Sequence, residues 1–418
     1  MLIIAYLIFF VILYGKCKMR FNSPVLNFVL LFYVAAACCG VMMHFYGTNT
    51  PCTLFSFLYQ TLIFFFFLKP IITYGKHEYH RKFILISDSC FYKISYILIG
   101  LQVFSIVFYA SYDVSLLMRG DFMQIRSEML TSGEDALGAS LSRTIACSSS
   151  YFYCYNILLF FYSLAFRQDK KCLLILLVIS STSRIFHAFS YMGRDGLLFW
   201  ILSFLFSFFV FKPYLNKKAK RLIRKVFYIF GTFAIALIGA ISFSRFGESD
   251  EGLFWSLVSY LGQPIDNFAS MFHSKYAEWK GLGALFPLLF GVETTSASDL
   301  LKSVDSFEAK YGFKNNVFFS FVGNMYMAIG PFFSVIFSYL YCKYFSMKLD
   351  RCYTSMSVLV ILMIASQIVV QNYFYWAYYL RVANLLLFST PLFVLYFNRG
   401  NTKQIIDPNS KDEINYHC

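Results

Sequence analysis

The chain has 418 residues, of which 58% are hydrophobic and 14% charged, with 52 Phe and a formal net charge of +14. Soluble domains carry about 25% charged residues, so an ordinary soluble globule is excluded, in line with the mean hydropathy of +0.59. The positive charge does not indicate nucleic acid either, because Lys and Arg gather in short connections between apolar runs, the pattern of a membrane protein with its basic side inside.

A crossing helix needs about 20 apolar residues at about 1.5 Å each. Runs of this kind predict about eleven spans, near 1–15, 24–46, 52–74, 91–111, 145–166, 172–190, 195–212, 226–243, 317–341, 355–379 and 383–397. The expected fold class is therefore all-α, a polytopic transmembrane helical protein forming one membrane domain over 1–397. Met1–Tyr14 is apolar with no positive charge before it, and Lys16, Lys18 and Arg20 follow. A cleaved export signal has the reverse order, so the first span is expected to start outside and end inside. The runs 172–190 and 195–212 read as a hairpin or as one broken element.

With the N-terminus outside, every second connection is cytoplasmic. Those connections hold 24 of the 36 Lys and Arg residues, and the run Lys217-Lys218-Ala219-Lys220-Arg221 alone would hold one of them inside. Two outside connections are long, 112–144 and 244–316. In the larger, Leu253–Leu261 and Gly281–Phe290 are apolar and aromatic, with Gly and Pro breaks, and predict short helices on or dipping toward the membrane surface. Residues 398–418 predict a disordered cytoplasmic tail. No CxxC pair, P-loop or GxGxxG occurs, so no metal site, disulfide framework or nucleotide cofactor is expected. Chemistry is left to the membrane core or the outside face.

The outside positives comprise seven Arg and five Lys, against seven Arg and 17 Lys inside. Lys suffices for topology, whereas the planar guanidinium fork suits phosphate and carboxylate. The skew points to an anionic ligand handled outside. Arg184 lies in Ser181-Thr182-Ser183-Arg184-Ile185-Phe186-His187, within an apolar run. A charge there is a functional candidate, unless it snorkels from a nearby helix end. Gly193-Arg194-Asp195-Gly196 places Arg194 beside a helix N-terminus, with Asp195 positioned to cap that helix; a plain polar turn has the same sequence. Arg245 opens the large loop, and Glu248, Asp250 and Glu251 follow, a cluster that suits a divalent cation but, with no further ligand pattern, reads better as a solvated loop face. Tyr260, Gln263, Asp266, Asn267 and His273 mix aromatics with hydrogen-bonding groups that suit a sugar, and Asp266 or His273 is a candidate general base. Asn316, Asn324 and Tyr326 bring polar groups to the start of a late span that Gly330-Pro331 interrupts. Gln371, Asn372 and Arg381 lie near the outside end of the next, and are expected to frame one cavity with Arg184 and Arg194.

With these elements the chain resembles the Wzy-type O-antigen or capsular repeat-unit polymerases. The resemblance rests on Gly193-Arg194-Asp195-Gly196-Leu197-Leu198 before an apolar span, Ser244-Arg245 opening a large loop, Tyr260 to Asn267-Phe268, and Asn316 to Gly330. It covers about residues 170–340. It implies a GT-C-like helical fold and a polyprenyl-diphosphate-linked oligosaccharide substrate. It also implies glycosyl transfer at the periplasmic face of the bacterial inner membrane, without metal or nucleotide-sugar. Under it, Arg194 and Arg245 bind the diphosphate, Arg184 and Arg381 support them, and Asp266 serves as base. Membrane lipid and a chain-length regulator protein are the further partners. A flippase for the same lipid-linked oligosaccharide, an O-antigen ligase and a membrane acyltransferase are the rival readings. A flippase predicts charges spread through several spans and a repeat relating two halves. The acyltransferase needs a catalytic His in the membrane, where only His44 and His187 qualify.

Overall fold

A computed structural model describes residues 2–48, 52–78, 81–119, 140–167, 171–191, 193–246, 252–274, 276, 278–291, 304–313 and 318–406, with the backbone path alone at 47–48, 117, 230, 233–246, 252–253, 256–257 and 304–305. Of these, seven helices are long and apolar enough to cross a membrane, and two shorter apolar helices accompany them. The protein is a helical, multi-pass membrane protein.

The first three helices are α1 (Leu2–Phe21), α2 (Pro24–Met43) and α3 (Leu54–Gly75). Ser23 caps α2 by accepting from the Leu26 amide, and Thr53 with Ser56 forms a capping box on α3; each pairs backbone donors that a helix start leaves open. The next helix, α4 (Asp88–Arg119), is 32 residues long. It runs beyond the expected span 91–111, so the helix continues through the first eight residues of the expected 112–144 connection.

The expected span 145–166 is not one helix. It divides into α5 (Leu141–Ser150) and α6 (Tyr153–Tyr162), and α6 runs on in a π-turn over Ser163–Arg167. The next run also breaks, into α7 (Lys171–Ser181) and α8 (Ser183–Phe189). At that break Ser181 and Thr182 bond back to the carbonyls of Val178 and Ile179 at 2.6 Å each, the side-chain competition that bends helices. Helix α9 (Asp195–Phe211) then folds back against α8, which establishes the hairpin reading. Gly196 permits the approach, since a Cβ there would lie 2.4 Å from the Arg184 carbonyl oxygen and from the Ala188 Cβ.

Helix α10 (Lys217–Phe246) carries the basic run at its start and extends past the expected span end at 243. Helix α11 (Gly252–His273) corrects the expectation of a short surface helix over 253–261. It is 22 residues long, buries Val258, Ile265, Phe268, Ala269 and Met271, and packs along α2. Gly262 allows this contact, because a Cβ there would stand 2.7 Å from the Cys39 carbonyl oxygen. Beyond it, a single 3₁₀ turn (Leu282–Ala284) and α12 (Pro287–Phe290) remain too short to span. Helix α13 (Val304–Tyr311) is tied to the preceding segment by Lys310–Glu278 at 2.6 Å, and Tyr276, Phe307, Tyr311 and Phe313 pack beneath it.

Helix α14 (Ser320–Leu349) packs along α3 and is interrupted at Gly330, whose φ of 76° is outside the helical region, followed by Pro331. Pro331 has no N–H, so carbonyls in the turn before it lose their partners. The segment before the 3₁₀ turn supplies replacements: Lys280 N–H donates to the Met327 carbonyl and Gly281 N–H to that of Ala328, at 3.1 and 2.7 Å. The Trp279 ring covers Gly330. Helix α15 (Met356–Ser366) continues as a π-turn to Gln371 and ends there, eight residues short of the expected 379. A 3₁₀ turn (Ala377–Tyr379) leads into α16 (Arg381–Gly400).

One small sheet adds to the helices. Its strands β1 (Lys82–Ile86), β2 (Tyr353–Ser355) and β3 (Asn401–Ile406) are ordered β2-β1-β3. Strands β1 and β2 are parallel, with Phe83 opposite Thr354, while β1 and β3 are antiparallel, with Ile84 opposite Ile405. This overturns the expectation of disorder for the start of the 398–418 tail. Thr402, Ile405 and Ile406 suit a pleated surface, and β1 offers them a ladder that sequence distance conceals. Residues 407–418 lie outside the described residues.

All six basic connections meet at this end of the bundle. The sheet joins three of them. Glu78 accepts from the Ser23 hydroxyl, Arg167 pairs with Asp88 at 2.5 Å, and Tyr214 donates to the Arg81 carbonyl at 3.0 Å. Arg81 is fully buried and donates to the Tyr74 and Leu349 carbonyls at the ends of α3 and α14. This one guanidinium satisfies two helix C-termini, where the macrodipole is negative.

Candidate functional site

At the other end, the α8–α9 hairpin presents the two arginines that the sequence singled out, in different environments. Arg184 is 3% exposed. Its Nη2 donates to Asp195 Oδ2 at 2.8 Å and to the Tyr191 hydroxyl at 3.2 Å, and its Nη1 to His187 Nδ1. The guanidinium also lies 4.4 Å from the Tyr151 ring centre, within cation–π range. Arg184 is thus a packed, ion-paired group and not a snorkelling one. Arg184 and Tyr191 are seven residues apart, on one face of a helical path, which is why both reach Asp195.

Asp195 accepts from Tyr191 at 3.0 Å and from Tyr375 at 3.1 Å besides Arg184. It was expected to cap α9, but the capping position belongs to Arg194 and no side chain bonds there. The carboxylate turns inward to the arginine. It keeps a favourable place in the first turn, where anionic charge meets the positive helix end.

Arg194 faces the other way. Its Nη2 donates to the Tyr260 hydroxyl at 2.8 Å, with the guanidinium carbon 4.9 Å from the ring centre. Tyr260 comes from α11 and packs on Phe318, which stacks on Tyr375 at 6.0 Å. Asn267 donates to the Phe318 carbonyl at 3.1 Å. Arg184, Arg194, Tyr260 and Asn267 therefore belong to one connected cluster, built from α8, α9, α11 and the 318–379 region.

Other expected residues lie elsewhere. Asp266 is 1% exposed, and its Oδ1 is 3.5 Å from Nδ1 of His44, at the end of α2. It does not reach the surface itself, and His44 is the more exposed member of that pair, at 16%. His273 is exposed at the end of α11. Gln263 donates to Ser259 on its own helix at 2.8 Å. Asn324 accepts from the Trp376 amide at 2.9 Å and holds the outer backbone. Tyr326 sits in a separate aromatic group with Tyr59, Phe268, Phe272 and Trp279. Arg381 is exposed and donates to the Gly291 carbonyl at 2.7 Å. The side chain of Arg245 and all of Asn316 lie outside the described residues; of Arg245 only the backbone in α10 is described.

A small cavity adjoins Arg184, its wall mostly apolar through Phe199, Ala377, Leu386 and the tyrosine rings. Tyr151, Tyr153, Gln367, Gln371 and Tyr378 line it with Arg184, and it has room for about one water. Gln371 exchanges hydrogen bonds with Tyr153 and donates to Ser203 at 2.7 Å. Of the five residues expected to frame one cavity, Gln371 and Arg184 line this one-water void, whereas Asn372, Arg381 and Arg194 do not.

Sequence reading missed Tyr151, Tyr191 and Tyr375. The available signal was the run Asn372-Tyr373-Phe374-Tyr375-Trp376-Ala377-Tyr378-Tyr379, too polar at its hydroxyls to be a plain apolar span. No family model, no curated protein and no solved structure matches the chain.

Proposed function

We propose that this chain polymerises lipid-linked oligosaccharide repeat units by glycosyl transfer at the outer, periplasmic face of a bacterial inner membrane. In this reading it crosses the membrane eleven times in a GT-C-like arrangement, with the N-terminus outside and the basic end in the cytoplasm. The substrate is a polyprenyl-diphosphate-linked oligosaccharide. One observation carries the proposal: Arg194 and Tyr260, 66 residues apart in sequence, meet at the first turn of an apolar helix above a neutralised Arg184–Asp195 pair. A guanidinium at a helix N-terminus suits a diphosphate, and a tyrosine face suits a sugar ring.

In the proposed reaction, an acceptor hydroxyl attacks the sugar carbon bonded to the diphosphate. The carbon–oxygen bond to the diphosphate breaks, and Arg194 with Arg245 stabilises the departing charge. The acceptor proton passes to the Asp266–His44 pair, with His44 as the outward member. Arg184 acts indirectly by fixing Asp195 and its tyrosines.

The test is Arg194→Ala expressed in a host lacking the gene, with membrane abundance checked and lipid-linked glycans separated by length. The expected result is collapse of a long ladder to single repeat units. Long chains at normal levels would refute the assignment.

A second reading is a transporter of the same lipid-linked substrate. The broken helix α14 favours it, because interrupted helices are frequent at transporter substrate sites. Repeat units held on the cytoplasmic leaflet in the deletion host would support transport over polymerisation.

A further inference from the structure

The buried arginine has a second neighbour that the proposed reaction does not use. Arg184 Nη1 is directed at His187 Nδ1, and Ser150 Oγ lies 3.2 Å from the same nitrogen. A guanidinium can only donate, so Nδ1 is the acceptor and the ring proton is assigned to Nε2 from this network. That Nε2–H lies 3.2 Å from Cys147 Sγ and donates to it. The Tyr109 hydroxyl is hydrogen-bonded to the same sulfur. Arg143 adds a second positive charge that acts on both His187 and Tyr109. Tyr109 and His187 are buried, while Cys147 in α5 is partly exposed.

Two donors on one sulfur, with the charges of Arg184 and Arg143 acting on those donors, favour the thiolate, the nucleophilic form of cysteine. We propose that Cys147 is a reactive thiolate, a covalent modification site for soft electrophiles at the edge of the arginine cluster. The imidazole sets its reactivity: Arg184 orients His187, and His187 donates to the sulfur. With iodoacetamide, the sulfur attacks the methylene carbon, a carbon–sulfur bond forms, and iodide leaves. The thiol proton has already passed to solvent. The added group occupies space between Tyr109 and His187, so modification pushes the imidazole away from Arg184.

The experiment uses the full chain in mild detergent, alkylated by iodoacetamide at pH 6 and pH 8, with rates from peptide mass mapping. Cys172 and Cys352, both exposed, serve as internal comparators. An ordinary thiol, ionising near pH 8.5, reacts about 80-fold faster at pH 8 than at pH 6. Cys147 is expected to show less than about a tenfold difference and to outpace both comparators at pH 6. His187→Phe removes one donor and is expected to restore the steep profile. Tyr109→Phe removes the other and leaves the Arg184–His187 contact in place, so it serves if the first variant does not fold. An ordinary steep profile at Cys147, or reaction only after denaturation, would overturn the proposal.

Discussion

The Arg184–Asp195 pair permits a quantitative test of how the outer cluster is held. Asp195→Asn removes the charge opposing a guanidinium that is 4% exposed and 2.8 Å from the lost carboxylate oxygen. Breaking a buried ion pair costs about 3–5 kcal/mol because the remaining charge stays desolvated. The Asp195 side chain is 18% exposed, and Arg184 keeps His187, Tyr191 and the Tyr151 ring. Both facts place the expected loss at the lower end, about 3 kcal/mol. Arg184→Met leaves the carboxylate with two tyrosine donors and a similar loss, about 3 kcal/mol. With both charges gone no desolvated ion remains, so the double variant should lose about 3–4 kcal/mol and not the additive total of about 6. The assay is reversible SDS unfolding of the purified protein, followed by tryptophan fluorescence, for the four members of the cycle. A coupling within about 0.5 kcal/mol of zero would refute the ion pair as the clamp of this cluster.

Two other predictions concern packing and pH. Gly262→Ala places a methyl group 2.7 Å from the Cys39 carbonyl oxygen, and backbone cannot yield as a side-chain tip does. It should cost about 1–3 kcal/mol, read as lower unfolding stability, whereas Gly100→Ala, with open space around it, should not. Glu78 is buried beside Ser23, and burial pushes its carboxyl up from 4.5 to about 7. The folded protein then holds a proton that the unfolded chain releases, so Glu78 favours folding most below about pH 4.5. That contribution fades as pH rises through 7, by about 3 kcal/mol. Glu78→Gln should flatten this part of the stability profile between pH 5 and 8; an unchanged slope would count against the buried acid as its source.

How much was legible differs by feature. Apolar runs announced the membrane class and most helix positions, because burial in lipid requires length and hydrophobicity that no loop mimics. They failed where hydroxyls bond back to the preceding turn and a helix breaks, at Ser181-Thr182 and at Ser150–Phe152, whereas the break at Gly330-Pro331 was announced by its residues. Arg184 and Arg194 stood out as arginines that topology does not require. Their opposite fates did not, since Asp195 could face outward as a cap or inward to Arg184, and the choice depends on Tyr375, 180 residues away.

What the amino-acid sequence determined alone was the set of local properties: helical runs, the alternation of basic connections, and the arginine skew of the other side. Each follows from composition within a window of about 20 residues. Tertiary structure decided which groups meet. It joined the six basic connections at one end through Arg81, Glu78, the Arg167–Asp88 pair and a three-stranded sheet that pairs residues 82–86 with 353–355 and 401–406. It buried Asp266 against His44, and it gave Arg184 a counter-ion while leaving Arg194 to Tyr260. The physical reason is that ion pairs, capped carbonyls and strand ladders depend on distances between segments that the chain's periodicity does not encode.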